Sequence, residues 1–184
     1  ELPELANRLD TALHAAARFL AQSEGTGLDG WVPLWFGNQH APEEINWTYG
    51  TAKVLLALNE PAQIALPGGG LRVTRAKNAL LEMQRDDGAW SGFKGGEASI
   101  EETALALEAL SGVTEADDET QAKLVKARDR AADWLVSQVE SDAWTEPSPI
   151  GFYFAKLWYY EKLYPMIATV AALSSYRRLA DKPE

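Results

Sequence analysis

Two adjacent carboxylates, Glu101 and Glu102, have the residue types and the spacing for acid–base chemistry. A close pair of carboxyl groups can divide the roles of proton donor and proton acceptor. The pair also follows Ser99 at the start of a helical pattern. This context favours first-turn carboxylates that complement the helix dipole, with Ser99 as the N-cap. His14 and His40 have no carboxylate or thiol at ligand spacing, and both are interpreted as ordinary residues.

Composition narrows the chemistry further. The 184-residue chain has no cysteine, which excludes disulfides, thiol catalysis and cysteine-based zinc sites, and we expect neither metal nor cofactor. A net charge of −10 argues against nucleic-acid partners, because a phosphate backbone needs a basic face. The glycine-rich stretch Gly92 to Gly96 lacks the Lys-Ser/Thr that ends a phosphate-binding loop, so it is interpreted as a connector.

A turn motif organises the chain, Gln84-Arg85-Asp86-Asp87-Gly88-Ala89-Trp90. Asp87 and Gly88 form the turn pair, and Trp90 is a large anchor whose indole N–H needs a partner when it is buried. The Gln84 amide is predicted to bond to backbone near the start of the next helix. A looser copy of the motif contains Gln22, Asp29, Gly30 and Trp31, and a degenerate copy contains Gln138 and Trp144.

The copies recur every 54 to 62 residues, a period that indicates a repeat architecture. We predict that all three glutamines hold turns and take no part in chemistry.

Helical patterns of two kinds alternate along the chain. The first amphipathic segment ends near Gln22, and the second runs from Leu71 to Gln84. Acidic residues Glu115 to Glu119 open the third, which has Lys123, Lys126, Arg128 and Arg130 on its solvent side. The segments between them are apolar almost all round and are predicted to be inner helices over 49–58, 102–110 and 154–173. This alternation predicts an all-α fold with two concentric layers, a partial α/α toroid within one domain over residues 1–184. The alternative is an irregular six-helix bundle.

The chain resembles the C-terminal portion of squalene–hopene cyclases and related class II terpene cyclases. The resemblance covers nearly the whole chain in order. Leu80 to Trp90 resembles the family's Gln–Trp motif, and Trp35-Phe36-Gly37-Asn38 with Asn46-Trp47-Thr48-Tyr49-Gly50-Thr51 resembles its Trp-Gly stretch. Ser99 to Leu110 resembles a capped inner helix of the family, and Gly151-Phe152-Tyr153-Phe154 through Tyr160, Tyr164 and Pro165 resembles its terminal aromatic segment.

The resemblance implies an apolar cavity for a polyprenyl chain such as squalene, with an aromatic wall that stabilises carbocations. Plain core packing is the alternative for each aromatic residue. The implied wall residues are Trp47, Tyr49, Phe152, Tyr153, Trp158 and Tyr160. The family's catalytic acid belongs to an Asp-x-Asp-Asp motif, which this sequence does not contain, and Met83 and Leu105 replace a histidine and an aromatic residue of the family pattern. No catalytic residue is therefore assigned.

Two functions of different class follow. The first is a cyclase domain of a longer enzyme, cytoplasmic and peripherally membrane-associated. The second is a catalytically silent toroid that binds an apolar ligand or a partner protein. In both, we expect one flank of the arc to be covered by the remaining helices of the parent or by a second copy. An α/α-barrel glycosidase is a distant third, because no loop-borne carboxylate pair can be placed.

Overall fold

The computed structural model describes residues 3–25, 30–33, 37–38, 40–59, 69–114, 117–152 and 157–181. The described chain is mostly helical, which confirms the predicted all-α class. Its helices are α1 (Pro3–Gln22), α2 (Trp47–Asn59), α3 (Gly69–Met83), α4 (Ile100–Ser111), α5 (Asp118–Glu140) and α6 (Leu163–Ala180). Short 3-10 turns occupy Pro42–Glu44 and Ala143–Thr145. No described helix is long and apolar enough to cross a membrane.

The helix α4 lies at the centre of the core. It packs against α2, α5 and α6, whereas α3 packs against α2. Ten of its residues are buried, among them Leu105, Leu107 and Leu110, so the segment predicted to be apolar all round is buried as expected. Ser99 is the N-cap of the helix, and its hydroxyl accepts the backbone N–H of Glu102, which confirms the predicted cap.

Residues 157–161 form a strand, so the prediction of an inner helix over 154–173 is wrong there, whereas residues 154–156 lie outside the described residues. Strand β1 (Ser148–Phe152) pairs antiparallel with strand β2 (Leu157–Glu161), and Gly151 lies opposite Trp158. The sequence of β2, Leu-Trp-Tyr-Tyr-Glu, is rich in aromatic residues, which favour strands when a partner strand is available. Helix α6 begins only at Leu163.

Several helices expose apolar residues, most of all α6 and α1. On α6, Leu163, Ile167 and Val170 are 58%, 65% and 57% exposed, at a spacing that places them on one face. We call these three residues the α6 stripe. On α1, Leu5, Leu9 and Leu13 are also exposed, and Ala17 is its buried apolar residue. The apolar faces of α1 and α6 therefore contact the described core only in part.

Helix α5 contributes Leu124, Ala131 and Leu135 to the core. It also buries Arg128, which was predicted to lie on the solvent side. The Arg128 Nε donates to the carbonyl of Leu110 at 3.0 Å, and its Nη2 donates to the same carbonyl and to that of Val113. A guanidinium that caps the C-terminal carbonyls of α4 is satisfied without water, which explains its burial.

Tryptophan turns join the helices. In the first, the Trp31 indole Nε1 donates to the carbonyl of Leu20 in α1 at 2.8 Å. The backbone N–H of Trp31 donates to the Thr51 hydroxyl of α2 at 3.1 Å. Gly30 lies so close to Thr51 that a Cβ at this position would collide with the hydroxyl. The turn thus binds the end of one helix to the side of the next.

The second tryptophan turn repeats this arrangement. The Trp90 indole Nε1 donates to the carbonyl of Leu80 in α3 at 2.7 Å, and its backbone N–H donates to the Thr103 hydroxyl of α4 at 2.9 Å. Trp90 is fully buried. Gly88 has φ of +94° and packs against the carbonyl of Arg130, which explains why glycine occupies the turn.

The third copy of the motif has lost this geometry. Trp144 lies half-buried in a 3-10 turn, and its indole makes no hydrogen bond to the described residues. Asp142 takes the left-handed conformation in front of it, with φ of 59°. Without a glycine and a threonine partner, the third turn does not reproduce the clamp of the first two.

The three glutamines differ in the same way. Gln84 donates from Nε2 to the carbonyl of Gly88 at 2.9 Å and to that of Ala127 in α5 at 2.8 Å. It therefore holds its own turn, but against α5 and not at the start of α4. Gln22 is exposed, and residues 26–29 of the turn that follows it lie outside the described residues, so its role stays a prediction. Gln138 donates to the hydroxyl of Ser137 and bonds to no turn carbonyl within the described chain, so the prediction that it holds a turn is wrong.

Candidate functional site

A cavity of about 260 Å³ lies where the N-terminal ends of α2, α4 and α6 come together. Gly37, Asn38, His40 and the start of β1 also line it. The polar side chains that the chemistry depends on are Asn46, Tyr49, Ser99, Glu101, Glu102 and Tyr164. These residues are up to 118 positions apart in sequence, and the three helix starts bring them together.

Glu102 is held by two neighbours. Its Oε1 accepts the Asn46 Nδ2 at 2.6 Å, and its Oε2 contacts the Ser99 hydroxyl. Asn46 in turn accepts the backbone N–H of Tyr49 at 3.0 Å and so caps α2. The Glu102 carboxylate thus links the starts of α2 and α4, in agreement with its predicted first-turn role but at a buried site.

Glu101 is in a different situation. Its side chain is only 6% exposed, and its Oε2 accepts the Ser99 hydroxyl at 3.0 Å. Burial raises the pKa of the Glu101 carboxyl above its usual range, and the neighbouring charge of Glu102 raises this pKa further. The nearby Ser148 hydroxyl offsets part of this increase, yet Oε1 has no hydrogen-bond partner among the described residues.

Two phenols lie beside the carboxylates. The Tyr164 hydroxyl at the start of α6 donates a hydrogen bond to that of Tyr49 on α2. Burial raises the pKa of both tyrosines, and the proximity of Glu101 and Glu102 adds to the increase at Tyr164. Both phenols therefore stay protonated at neutral pH and present neutral hydroxyls to the cavity.

The predicted aromatic wall is only partly assembled around this cavity. Tyr49 lines it, whereas Trp47 packs its ring against the backbone of Gly25. Tyr160 is 64% exposed on β2 and lies away from the cavity wall. Phe152 and Trp158 are described by their backbone only, in strands β1 and β2. Tyr153 lies outside the described residues. Asp29, from the first turn motif, also lies outside them.

From the sequence, Glu101 is interpreted as an ordinary first-turn carboxylate. Its neighbours in the cavity, Asn46, Ser148 and Tyr164, are not identified. The sequence does contain a signal that the Glu101 side chain is buried. The helix that it starts is apolar on every face, so its first turn has no solvent side on which a second carboxylate could lie. Nothing in the local sequence relates Asn46 or Tyr164 to Glu101, because they come from other helices.

The cavity is acidic. Besides Glu101 and Glu102, the exposed Glu97 and Glu146 lie at its rim, and His40 is the basic residue among its lining residues. No Lys or Arg lines it within the described chain. The described residues contain no group of three or more His, Asp or Glu side chains arranged to hold a metal ion.

Comparisons with known proteins relate the chain to a cyclase. No family model matches it. It is 31% identical over 187 residues to a squalene–hopene cyclase of Zymomonas mobilis subsp. mobilis, an alignment that covers 92% of this chain and 25% of that protein. Uncharacterized proteins of Bradyrhizobium diazoefficiens and Sinorhizobium fredii are 33% and 34% identical over 95 residues, which is 51% of this chain and 17% of each of those proteins. The chain thus spans a quarter or less of the length of these relatives, and the similarity supports a cyclase-like relationship.

Proposed function

We propose that this chain is the C-terminal part of a squalene–hopene cyclase-like terpene cyclase and forms one arc of an α/α toroid. The observation that carries the proposal is the similarity to a squalene–hopene cyclase over 92% of the chain. The matched relative is four times the length of the aligned region, so the complete cavity and the activity would belong to a larger protein.

The packing order of the helices supports an arc. Helix α4 packs against both α2 and α6, and the starts of all three border one cavity. Helix α3 packs against α2, and α5 packs against α4 and α6. An irregular bundle would not require every second helix to begin at the same place, which is why we favour the toroid.

The proposed role of the arc is to provide part of an apolar, aromatic wall for a polyprenyl chain such as squalene. Aromatic faces attract positive charge through their quadrupole, by up to ~2 kcal/mol per desolvated contact, and do not capture a carbocation as water would. Tyr49 is the proposed wall residue within the described cavity. Phe152, Tyr153, Trp158 and Tyr160 are proposed to extend the wall toward the flank that other helices would close.

The chain alone is predicted to have no cyclase activity. Protonation of an alkene needs a strong acid, and the sequence contains no Asp-x-Asp-Asp motif to supply it. Incubation of the purified chain with squalene should therefore give no cyclic product by gas chromatography. A cyclic product would show that another residue acts as the acid.

Binding tests the wall directly. Geranylgeraniol, a polyprenyl alcohol, should quench the tryptophan fluorescence of the chain saturably when it is added from detergent micelles. Replacing Tyr49 with Ala should weaken this binding at least fivefold, because it removes the aromatic face from the cavity. The matched control is Phe19→Ala, since Phe19 is an aromatic residue of α1 that is 67% exposed and distant from the cavity lining. Equal effects of the two substitutions would contradict the proposed wall.

A catalytically silent scaffold is the second candidate, and the α6 stripe favours it. Contiguous exposed apolar residues usually mark an interface, so the stripe is suited to a partner protein, to the remaining helices of a parent toroid or to a second copy. Absence of any geranylgeraniol binding, together with capture of a partner that is lost on Ile167→Glu, would favour this scaffold over the cyclase.

A further inference from the structure

The Glu101 side chain has one carboxylate oxygen that accepts no hydrogen bond from the described residues. Its Oε1 is buried, has no hydrogen-bond partner among the described residues, and belongs to a residue that lines the cavity. A buried acceptor without a donor is costly, and few such groups persist in native proteins without a reason. A ligand that donates a hydrogen bond to this oxygen would satisfy it.

The neighbouring donors are already engaged. The Asn46 amide and the Ser99 hydroxyl both bond to Glu102, and Ser99 also reaches Glu101 through Oε2. The Tyr164 hydroxyl donates to Tyr49. The Ser148 hydroxyl also hydrogen-bonds to the Glu101 carboxyl, and Oε1 is the oxygen that is left without a partner among the described residues.

The acidic surroundings of Glu101 determine which kind of hydrogen-bond donor the site favours. A second carboxylate lies beside Glu101, the rim carries two further glutamates, and the described lining includes no Lys or Arg. In a partly buried site of this sign, a cationic N–H donor is favoured over a neutral one by both Coulomb attraction and the stronger charge-assisted hydrogen bond. The site suits a monovalent cation better than Ca²⁺, which needs six to eight oxygens, because both oxygens of Glu102 already accept hydrogen bonds from Asn46 and Ser99.

We propose that this cavity binds a primary alkylammonium ion, whose N–H group donates to Glu101 Oε1 and whose alkyl chain lies against the apolar part of the lining. Ile100 and the rings of Tyr49 and Tyr164 supply that apolar part. The two tyrosine faces also attract a cation, as aromatic rings do. The volume of about 260 Å³ accommodates a short alkyl chain together with its ammonium group.

This inference does not depend on the polyprenyl function, because it follows from Glu101 and its surroundings alone. A cavity that binds alkylammonium ions but not geranylgeraniol would support this inference and contradict the proposed function. Binding of geranylgeraniol without alkylammonium would do the reverse.

The test uses the purified chain and n-hexylammonium chloride, with 1-hexanol as the neutral ligand of the same chain length. Calorimetry should show hexylammonium binding at least tenfold more tightly than hexanol. Glu101→Gln should weaken hexylammonium binding at least tenfold and leave hexanol unaffected. Glu82→Gln is the matched control, since it removes the same charge from an exposed position on α3 and should change the Kd less than twofold.

A second measurement keeps the test decisive if the Glu101 variant folds poorly. In the wild-type chain, hexylammonium should shift the backbone amide signals of residues 99–102 in a two-dimensional NMR spectrum. Hexanol and hexylammonium binding equally, shifts confined to other regions, or an unchanged Kd in Glu101→Gln would each overturn the proposal.

Discussion

Glu101 makes the stability of this chain depend on pH in the direction opposite to that of an ordinary ion-paired carboxylate. Its folded pKa is raised above the usual value of 4.5, so the folded state holds the proton more tightly than the unfolded state does. This contribution to stability is complete below the unfolded pKa and is lost as the pH rises through the folded pKa. A glutamine at this position does not titrate and escapes the loss.

We therefore expect Glu101→Gln to gain stability relative to the wild type as the pH increases from 4 to 8. Urea unfolding at several pH values measures the difference. Carboxylates with lowered pKa, such as Asp87 beside Arg85, act in the opposite direction in both proteins and cancel from the comparison. Glu82→Gln should show no such trend, and a difference that stays constant with pH would contradict the burial of Glu101.

Gln84 offers a second prediction at this scale. Its amide bonds to the carbonyls of Gly88 and Ala127, and Ala127 is buried. Replacing Gln84 with Ala leaves both acceptors without this donor and should lower the free energy of unfolding by roughly 1–3 kcal/mol. Gln138→Ala removes an amide that bonds only to Ser137 and should cost less than about 0.5 kcal/mol in the same urea experiment. Equal losses would mean that the bond to α5 contributes nothing.

At the scale of elements, we expect a Trp→Phe substitution to lower the free energy of unfolding by different amounts in the three turns. Trp90→Phe removes the indole donor to Leu80 and leaves a cavity, and Trp31→Phe does the same to Leu20. Each should lower the free energy of unfolding by about 2–4 kcal/mol. Trp144→Phe removes no described hydrogen bond and should cost less than about 1 kcal/mol. Thermal or urea unfolding of the three variants checks the order, and a loss at Trp144 as large as at Trp90 would contradict it.

The sequence predicts elements well where a pattern repeats over several turns. The period of apolar residues locates α1 to α5 to within a few residues, because burial of one face or of all faces leaves a direct trace in composition. The start of α6 escaped prediction. Leu157 to Glu161 is apolar and aromatic in a short run, which fits a strand as well as a buried helix, and only the partner strand β1 decides between them.

The site escaped prediction for a related reason. Local sequence identifies Ser99 and Glu102 as a cap, but the burial of Glu101 and its unpartnered oxygen depend on where α2 and α6 begin. Arg128 shows the same limit. It has the composition of a solvent-side residue, and only the position of the α4 carbonyls makes it a buried cap.

At the scale of the whole molecule, the α6 stripe predicts association. Leu163, Ile167 and Val170 form an exposed apolar row, which a soluble protein normally covers. We expect the purified chain to form a symmetric dimer through this row, since the isologous dimer is the commonest homo-oligomer. Light scattering at several concentrations should show the mass increasing toward that of a dimer.

Ile167→Glu should abolish this association, because a charge in the middle of the row cannot be buried without a partner. Leu71→Glu is the control, since Leu71 is exposed on α3, away from the row. A monomer at every concentration would show that copies of this chain do not cover the stripe.

The clamps formed by Trp31 and Trp90 have a consequence for how such a protein can change in size. Each clamp uses only the end of one helix, the tryptophan and a threonine on the following helix, so it depends on no distant part of the chain. Helix pairs held by nearest-neighbour bonds of this kind can be gained or lost as whole modules. In the proposed arc, such a gain or loss would change the number of helix pairs and leave the remaining joints intact. The degenerate turn at Trp144 lacks this joint within the described residues.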